Sequence, residues 1–305
     1  MTAAQRIFGI DFTSAPGKRK PIVCCELALD WPTSGHPVPQ LSLIALTTWD
    51  TFAPFEAFLA TLPTGSLTGI DCPLGLPYAF LVAQGWDTLS WRGYLAEVAS
   101  HTKASWLARV NDDRATRPAG QKLPLRETDR LAQAKSPLMT VRVPLAKMFY
   151  EGATRVAQAP VTVWPFDVEL SETFTLTATS APIVAEVYPA QCARYLQRRL
   201  QQHESPRAWR PYKQEQLTTA EALQDVQQAM LQALLAPETQ ADLGITLNIP
   251  HPERLLGEAK GDTLDAFFAA VWAALYSLHP GSAYSEAPWQ QEGWIICPNV
   301  PSNSI

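Results

Sequence analysis

The sequence lacks several patterns that would place it in a well-defined class at once. Its five cysteines are irregularly spaced and form no Cys-x-x-Cys pair, so they predict neither a zinc site nor a disulfide framework. The chain also contains no Gly-x-Ser-x-Gly motif and no supported Cys/His pairing, which argues against nucleophilic catalysis. These absences exclude the simplest hydrolase and zinc-protein interpretations.

Long apolar runs are also missing. The longest uninterrupted one, Ala266–Tyr276, is shorter than the roughly 20 residues that a membrane-spanning helix needs. The N-terminal segment, Met1–Phe12, has no basic stretch followed by a long apolar run, so it does not have the pattern of a signal peptide. We therefore expect a cytoplasmic protein that has no membrane partner, and the oligomeric state is left open.

Charged residues are scarce and unevenly distributed. They make up 17% of the 305 residues, whereas 47% are hydrophobic, including ten Trp and eleven Phe that can fill a core. This composition predicts a folded protein, and we expect a single domain over residues 1–305. The net charge is −5, yet residues 101–150 carry ten Lys and Arg against four Asp and Glu, a net charge of +6. One basic segment thus lies within an otherwise acidic chain.

Five apolar segments have the length and composition of β-strands. They are Gln5–Asp11, Pro21–Leu29, Gln40–Leu46, Ser66–Cys72 and Ile183–Tyr188. Short links favour antiparallel pairing of the first three, and the helical pattern of Trp49–Leu62 favours a crossover and parallel pairing of the fourth strand with the first. Residues 78–181 predict a large, mostly helical insertion after strand four. The expected fold is α/β, with a mixed five-stranded sheet flanked by helices.

Acidic side chains occur at comparable places on these elements. Asp11 ends strand one, Asp71 ends strand four, and Glu186 lies in strand five. Asp262 and Asp265 begin the clearest helix of the chain, which is apolar nearly all round and hence buried. Because ligands bind at the carboxyl edge of parallel strands, we expect these carboxylates to form one cluster. Mg²⁺ or Mn²⁺, which prefer oxygen ligands, would relieve the repulsion within it.

Each acidic residue also has a purely structural interpretation. Asp11 and Asp71 can be turn residues that bond to the backbone following their strands. Asp262 can cap its helix, with Asp265 in the favourable first turn. Glu186, in an apolar strand, needs a partner, and an arginine is the alternative to a metal ion.

The acidic residues lie in four short segments. These are Gly9-Ile10-Asp11, Gly69-Ile70-Asp71-Cys72-Pro73-Leu74-Gly75, Glu186-Val187-Tyr188-Pro189 and Gly261-Asp262-Thr263-Leu264-Asp265-Ala266. In this order they resemble the domain-of-unknown-function 429 family, a group of predicted nucleases with a ribonuclease-H-like fold. The layout is also similar to that of Holliday-junction resolvases, although Asp71 stands where Glu is usual there. The resemblance implies that Asp11, Asp71, Asp262 and Asp265 bind the metal ions, with Glu186 as an additional member.

The basic segment is the candidate surface for substrate binding. A nuclease with an acidic metal site needs cations that hold phosphates beside it. We expect Arg126, Arg130, Arg142 and Lys147 to have that role. The alternative is a solvated loop whose charges pair with one another.

These patterns favour a metal-dependent nuclease or other phosphodiesterase. Two divalent ions would activate water and stabilise the leaving oxygen, with Asp11, Asp71, Glu186, Asp262 and Asp265 as the catalytic set. The partner would be nucleic acid or another phosphodiester. One alternative is a non-catalytic nucleic-acid- or ligand-binding protein whose carboxylates pair with arginine. A phosphotransferase of the sugar-kinase and actin class is less favoured, because the chain contains no Gly-Gly pair for its adenosine motif.

Overall fold

The described part of the chain is built on one mixed β-sheet. The computed structural model describes residues 4–32, 37–168, 177, 180–203, 212–213, 219–256, 260–281 and 289–300. The strands are β1 (Gln5–Asp11), β2 (Ile22–Asp30), β3 (Gln40–Trp49), β4 (Leu67–Asp71), β5 (Thr162–Trp164), β6 (Ile183–Glu186) and β7 (Thr246–Asn248). Within the described ranges they form a seven-stranded sheet in the order β5-β6-β4-β1-β2-β3-β7.

Helices cover both faces of this sheet. In chain order they are α1 (Phe52–Ala60), α2 (Tyr78–Gln84), α3 (Trp91–Ser100), α4 (Lys103–Thr116), α5 (Glu127–Leu131), α6 (Leu145–Gln158), α7 (Pro189–His203), α8 (Ala220–Leu235), α9 (Pro237–Leu243), α10 (Asp262–Leu278) and α11 (Trp289–Glu292). A 3-10 helix spans Pro252–Leu255. The buried helix expected from the sequence is α10, which is buried over all but its last two residues. Every helix in the described ranges is too short or too polar to cross a lipid bilayer.

The strand directions agree with the prediction, but the number of strands does not. β2 pairs antiparallel with β1 and β3, β4 pairs parallel with β1, and β6 pairs parallel with β4. The prediction of five strands is wrong, because β5 and β7 add a strand at each edge of the sheet. Each is three residues long, which is too short to show a recognisable alternation of apolar and polar residues.

The segment predicted as an insertion, residues 78–181, begins with helices and ends at the sheet. Helices α2 to α6 fill its first part, and β5 then pairs with β6. Residues 169–176 and 178–179 of this segment lie outside the described residues. The assignment of the whole chain to one domain stays a prediction.

Alternating side chains of the strands enter two separate cores. Ile7 packs in a cluster with α7, α8 and α10 on one face of the sheet. Its neighbour Phe8, and then Ile10, pack with α1, α2, α3, α4 and α6 on the other face. Successive residues of a strand point to opposite faces, so β1 is buried on both sides between two helical layers.

Two glycines allow α10 to lie directly against the sheet. Gly9 of β1 and Gly69 of β4 are paired in register. A Cβ atom on Gly9 would lie 2.1 Å from the backbone oxygen of Ala266, and one on Gly69 would lie 3.1 Å from that of Ala269. A larger residue would therefore push α10 away from the strands, since cores are closely packed. The glycines of the two Gly-Ile-Asp segments thus set the distance between α10 and the acidic strand ends.

Candidate functional site

Three carboxylates from three elements meet at the carboxyl edge of the sheet. Asp11 ends β1 and Asp71 ends β4, and the two are partners in the parallel register. Asp265 comes from the first turn of α10, which lies over both strands. One carboxylate oxygen of each residue lies within 4.8 Å of those of the other two. This spacing suits a shared cation, because oxygens bonded at about 2.1 Å to one octahedral ion are about 3–4 Å apart. We call Asp11, Asp71 and Asp265 the carboxylate triad.

Burial makes the triad unfavourable without a cation. Asp11 is 6% exposed, and its Oδ2 atom has no hydrogen-bond partner among the described residues. Burial raises the pKa of Asp11 to about 8, and the negative charges of Asp71 and Asp262 add to the increase while Lys213 and Lys20 oppose it. Burial likewise raises the pKa of Asp71 to about 6. Near neutral pH the triad therefore either retains a proton or requires a cation.

Asp265 is fully buried and has two polar partners in the segment between α7 and α8. The Tyr212 hydroxyl donates a hydrogen bond of 2.6 Å to its Oδ1 atom. The Lys213 ammonium forms an ion pair with its Oδ2 atom, although the Lys213 side chain is 44% exposed. The backbone oxygen of Tyr212 in turn accepts a hydrogen bond of 2.9 Å from the Gln227 side chain. Asp265 is thus partly neutralised by a lysine that remains open to solvent.

Asp262 lies one helical turn before Asp265 but is not part of the triad. It is 5% exposed at the start of α10, and its negative charge raises the pKa of Asp11. Within the described residues, the mutually close acidic group comprises Asp11, Asp71 and Asp265. Of the two acidic residues at the start of α10, Asp265 is therefore the one that reaches the strand ends, and metal binding by Asp262 stays a prediction.

Glu186 is buried beside the triad but is paired with an arginine. The Nη1 and Nη2 atoms of Arg126 donate hydrogen bonds of 2.7 and 2.5 Å to its two carboxylate oxygens. The backbone N–H of Leu74 donates a third, of 2.8 Å. The same guanidinium binds Asp129 at 2.7 Å, and Arg126 is only 1% exposed. This is the arginine pairing that the structural interpretation of Glu186 requires, and its catalytic role stays a prediction.

A cavity of about 470 Å³ opens onto the triad. Its walls include the exposed Lys20 and Lys135 together with Lys213. Tyr188 and Tyr212 line the same cavity. It therefore brings carboxylates, basic side chains and aromatic rings together in one cavity.

The four basic residues selected from the sequence lie in different surroundings. Arg126 lines the cavity, but its guanidinium is committed to two carboxylates. Arg130 is 58% exposed and forms an ion pair of 2.8 Å with Glu127. Arg142 is exposed and Lys147 is partly exposed, and the described lining of the cavity includes neither. Contact of these residues with a substrate stays a prediction.

The lysines of the cavity are the residues that sequence reasoning missed. Lys20 lies in the short link between β1 and β2, so the hairpin connection alone could have placed it at the edge that carries Asp11. Lys135 lies in the basic segment between α5 and α6. Lys213 and Tyr212 lie between α7 and α8, and no sequence pattern relates that link to the start of α10.

The chain matches one protein family over most of its length. The family described as Protein of unknown function (DUF429) matches residues 9–288. The matched range contains the whole triad as well as Glu186 and Arg126. No curated protein and no solved structure matches the chain. The resemblance recognised in the acidic segments is thereby confirmed, and the chain belongs to the DUF429 family.

Proposed function

We propose that the protein is a metal-dependent phosphodiesterase, and more specifically a nuclease, whose ions are held by Asp11, Asp71 and Asp265. The observation that carries this proposal is the meeting of three carboxylates within 4.8 Å of one another. One of them has a buried oxygen, Oδ2 of Asp11, that lacks a hydrogen-bond partner within the described residues. Carboxylate oxygens are the ligands that Mg²⁺ and Mn²⁺ prefer.

The chemistry of the triad fits a divalent cation. A buried carboxylate with an unsatisfied oxygen is unfavourable, and the raised pKa of Asp11, about 8, expresses that cost. A cation would replace the proton and satisfy the free oxygen. We propose two ions, with Asp262 as an additional ligand, because hydrolysis of a phosphodiester requires stabilisation of both the attacking and the leaving oxygen.

The ions, when bound, would supply a nucleophilic water at neutral pH and stabilise the leaving oxygen. The residues of the chain hold the substrate in place. Lys20 and Lys135, both exposed on the cavity wall, bind the phosphate. Tyr188, on the same wall, offers a ring on which a base can stack. Glu186 acts through Asp71, because its charge raises the pKa of that carboxylate.

The cavity accommodates a group of nucleotide size at the reaction centre. Its volume of about 470 Å³ is that of a small-molecule site. Val143 and Met148 line the cavity, and each is the chain neighbour of a basic residue, Arg142 and Lys147. In a longer polynucleotide, the phosphates that flank the one being cleaved would be bound by Arg130, Arg142 and Lys147.

The topology supports a ribonuclease-H-like assignment. Three antiparallel strands are followed by a strand that pairs parallel with the first. The acidic residues of the triad occupy strand one, strand four and a late helix, which is the layout that the resemblance to resolvases implies.

A non-catalytic binding protein is the second candidate. The ion pairs Arg126–Glu186 and Lys213–Asp265 favour it, because they neutralise two buried carboxylates without a metal ion. In this alternative the same cavity binds a nucleic acid or another phosphorylated ligand and does not cleave it. Because the Oδ2 atom of Asp11 lacks a hydrogen-bond partner in the described part of the chain, the first proposal accounts for more of the site.

The test is cleavage by the purified full chain. Its substrates are single-stranded, duplex and branched DNA and RNA and bis(p-nitrophenyl) phosphate, each with Mg²⁺, Mn²⁺ or a chelator. We expect ion-dependent cleavage that falls roughly 100-fold or more in Asp11→Asn, since even the partners of metal ligands contribute about 10–100-fold. Asp30→Asn is the matched control, because Asp30 is exposed and lies at the end of β2 that is beside the start of β1, away from Asp11. Chelator-insensitive cleavage, full cleavage by Asp11→Asn, or no cleavage of any substrate would contradict the proposal.

A further inference from the structure

Metal binding by the triad does not account for the position of Lys213, because the lysine places a second positive charge beside the carboxylates that would hold the ion. Its ammonium forms an ion pair with the Oδ2 atom of the buried Asp265. Its positive charge is also the strongest influence that opposes the raised pKa values of Asp11 and Asp71. One lysine therefore acts on all three carboxylates that are proposed to hold the ion. The ammonium and a divalent cation would compete for the same oxygens.

The backbone next to Lys213 is held in place, whereas its side chain is open to solvent. Tyr212 donates to Asp265 at 2.6 Å and accepts from Gln227 at 2.9 Å. Gly261 lies close on the other side, since a Cβ atom there would be 3.6 Å from Cγ of Lys213. The Lys213 side chain is 44% exposed, and a lysine stem has four rotatable carbons. The ammonium can therefore leave Asp265 without movement of the backbone.

Arg126 is a permanent counter-ion in the same protein and provides a comparison for Lys213. Its guanidinium binds Glu186 through two hydrogen bonds and Asp129 through others, and it is 1% exposed. A planar guanidinium with several donors holds carboxylates in a fixed geometry, whereas a lysine ammonium is a point charge on a flexible stem. Lys213 makes the weaker and more accessible type of pair.

We propose that Lys213 is a tethered counter-ion, which occupies the cation position of the metal-free triad and is exchanged for the divalent ion. This inference rests on the proposed function. On exchange the ammonium turns into the cavity that it lines with Lys20 and Lys135, where it contacts the phosphate of the substrate. Tyr212 keeps its hydrogen bond to the Oδ1 atom, so Asp265 stays oriented throughout.

The exchange is tested by calorimetric titration of Mn²⁺ into the full chain and its variants at low ionic strength. Removal of the competing ammonium in Lys213→Met should tighten Mn²⁺ binding about tenfold, and Lys213→Arg, which keeps the charge, should bind more weakly than Lys213→Met. Lys135→Met is the matched control. Lys135 lines the same cavity but forms no ion pair with the triad among the described residues, so its loss should change Mn²⁺ affinity less than about twofold.

The outcomes separate this inference from the function on which it rests. The exchange would be overturned if Lys213→Met bound Mn²⁺ no more tightly than the wild type, or if Lys135→Met gained as much affinity as Lys213→Met. Either result would leave the proposed function standing. Absence of Mn²⁺ binding in every protein would overturn both. Thermal melting provides a second readout. In chelator, Lys213→Met should have a lower melting temperature than the wild type, and Mn²⁺ should remove this difference.

The phosphate contact has its own readout. At saturating Mn²⁺, Lys213→Met should raise the KM for bis(p-nitrophenyl) phosphate several-fold, and Lys213→Arg should restore most of it. An unchanged KM in Lys213→Met would overturn the contact with phosphate.

Discussion

Two groups of carboxylates, all buried except the half-buried Asp71, lie close together near the carboxyl ends of β1, β4 and β6, and they differ in how their charge is compensated. Glu186 and Asp129 share the guanidinium of Arg126, with hydrogen bonds of 2.5 and 2.7 Å. In the triad, the Oδ2 atom of Asp11 has no hydrogen-bond partner within the described ranges. Burial of an acidic side chain therefore does not distinguish the two groups. The feature that distinguishes them is whether a fixed cation of the protein satisfies the carboxylate.

The two groups also differ in what they connect. The paired group lies where distant parts of the chain meet, since Glu186 also accepts a hydrogen bond from the N–H of Leu74, and residues next to the group make further long-range bonds. The Oε2 atom of Glu292 accepts a hydrogen bond of 3.0 Å from the N–H of Glu127, and the Thr128 hydroxyl accepts one of 2.8 Å from the N–H of Ile295. The triad instead faces a cavity. Under the proposed function, the paired group would thus contribute stability and the triad would bind the ligand.

Removal of the Arg126 guanidinium, which Glu186 and Asp129 share, should have the largest effect on stability. Arg126→Met leaves Glu186 and Asp129 buried without their partner, which should lower the free energy of unfolding by about 3–5 kcal/mol in urea denaturation. Arg130→Met is the control, because Arg130 and Glu127 are 58% and 48% exposed, and it should lower that free energy by less than about 1 kcal/mol. Equal losses in the two variants would contradict the distinction between the buried and the exposed pair.

A smaller loss is expected when α10 is pushed away from the sheet. In Gly9→Ala the new Cβ atom would lie 2.1 Å from the oxygen of Ala266, so the free energy of unfolding should fall by about 1–3 kcal/mol. Mn²⁺ affinity should also fall, because Asp265 moves away from Asp11. Gly17→Ala, whose Cβ atom would meet nothing within 4 Å, should change neither quantity appreciably. A destabilised Gly9→Ala protein with unchanged Mn²⁺ affinity would contradict the role of α10 in building the site.

Asp11 of the triad should make stability depend on pH in metal-free buffer. The pKa of Asp11 rises from 3.8 to about 8 on folding, so its contribution to stability is fully present below about pH 3.8 and is lost as the pH rises through about 8. Asp11→Asn removes this titration. Relative to wild type, the variant should gain on the order of 2 kcal/mol in free energy of unfolding between about pH 6.5 and pH 8. A difference that stays constant over this interval, measured by urea denaturation, would contradict the raised pKa.

The smallest effect is expected at Tyr212. Tyr212→Phe removes the hydrogen bond of 2.6 Å to Asp265 and should lower the free energy of unfolding by roughly 1 kcal/mol. Mn²⁺ affinity should change as well, because the carboxylate loses its orientation. Tyr150→Phe removes a comparable bond of 2.7 Å to the backbone oxygen of His101 and should leave Mn²⁺ affinity unchanged. Equal affinities of the two variants would contradict an orienting role for Tyr212.

Local sequence patterns were sufficient for the part of the site that lies on regular elements. Apolar strands that end in Asp11 and Asp71, separated by a helical crossover, imply parallel neighbours with both carboxylates at one edge. The continuous apolar character of α10 implies that Asp265 at its start is buried. These inferences need only hydrophobic pattern and connectivity, and they give two strands and one helix of the site.

The remaining features depend on contacts between residues that are far apart in the chain. Arg126 meets Glu186 across 60 residues, and Lys213 meets Asp265 across a link without a recognisable pattern. The strands β5 and β7 are three residues long, and only pairing with β6 and β3 makes them strands. Which carboxylate is paired and which is free follows from this tertiary packing, and no local signal carries it.

Binding of a divalent cation by the triad can be observed in a crystal of the full chain soaked in Mn²⁺. The expected result is an anomalous peak bonded to carboxylate oxygens of Asp11, Asp71 and Asp265 at about 2.1–2.2 Å, with the Lys213 ammonium displaced into the cavity. A map without a peak at the triad, in which Lys213 still pairs with Asp265, would contradict cation binding by the triad.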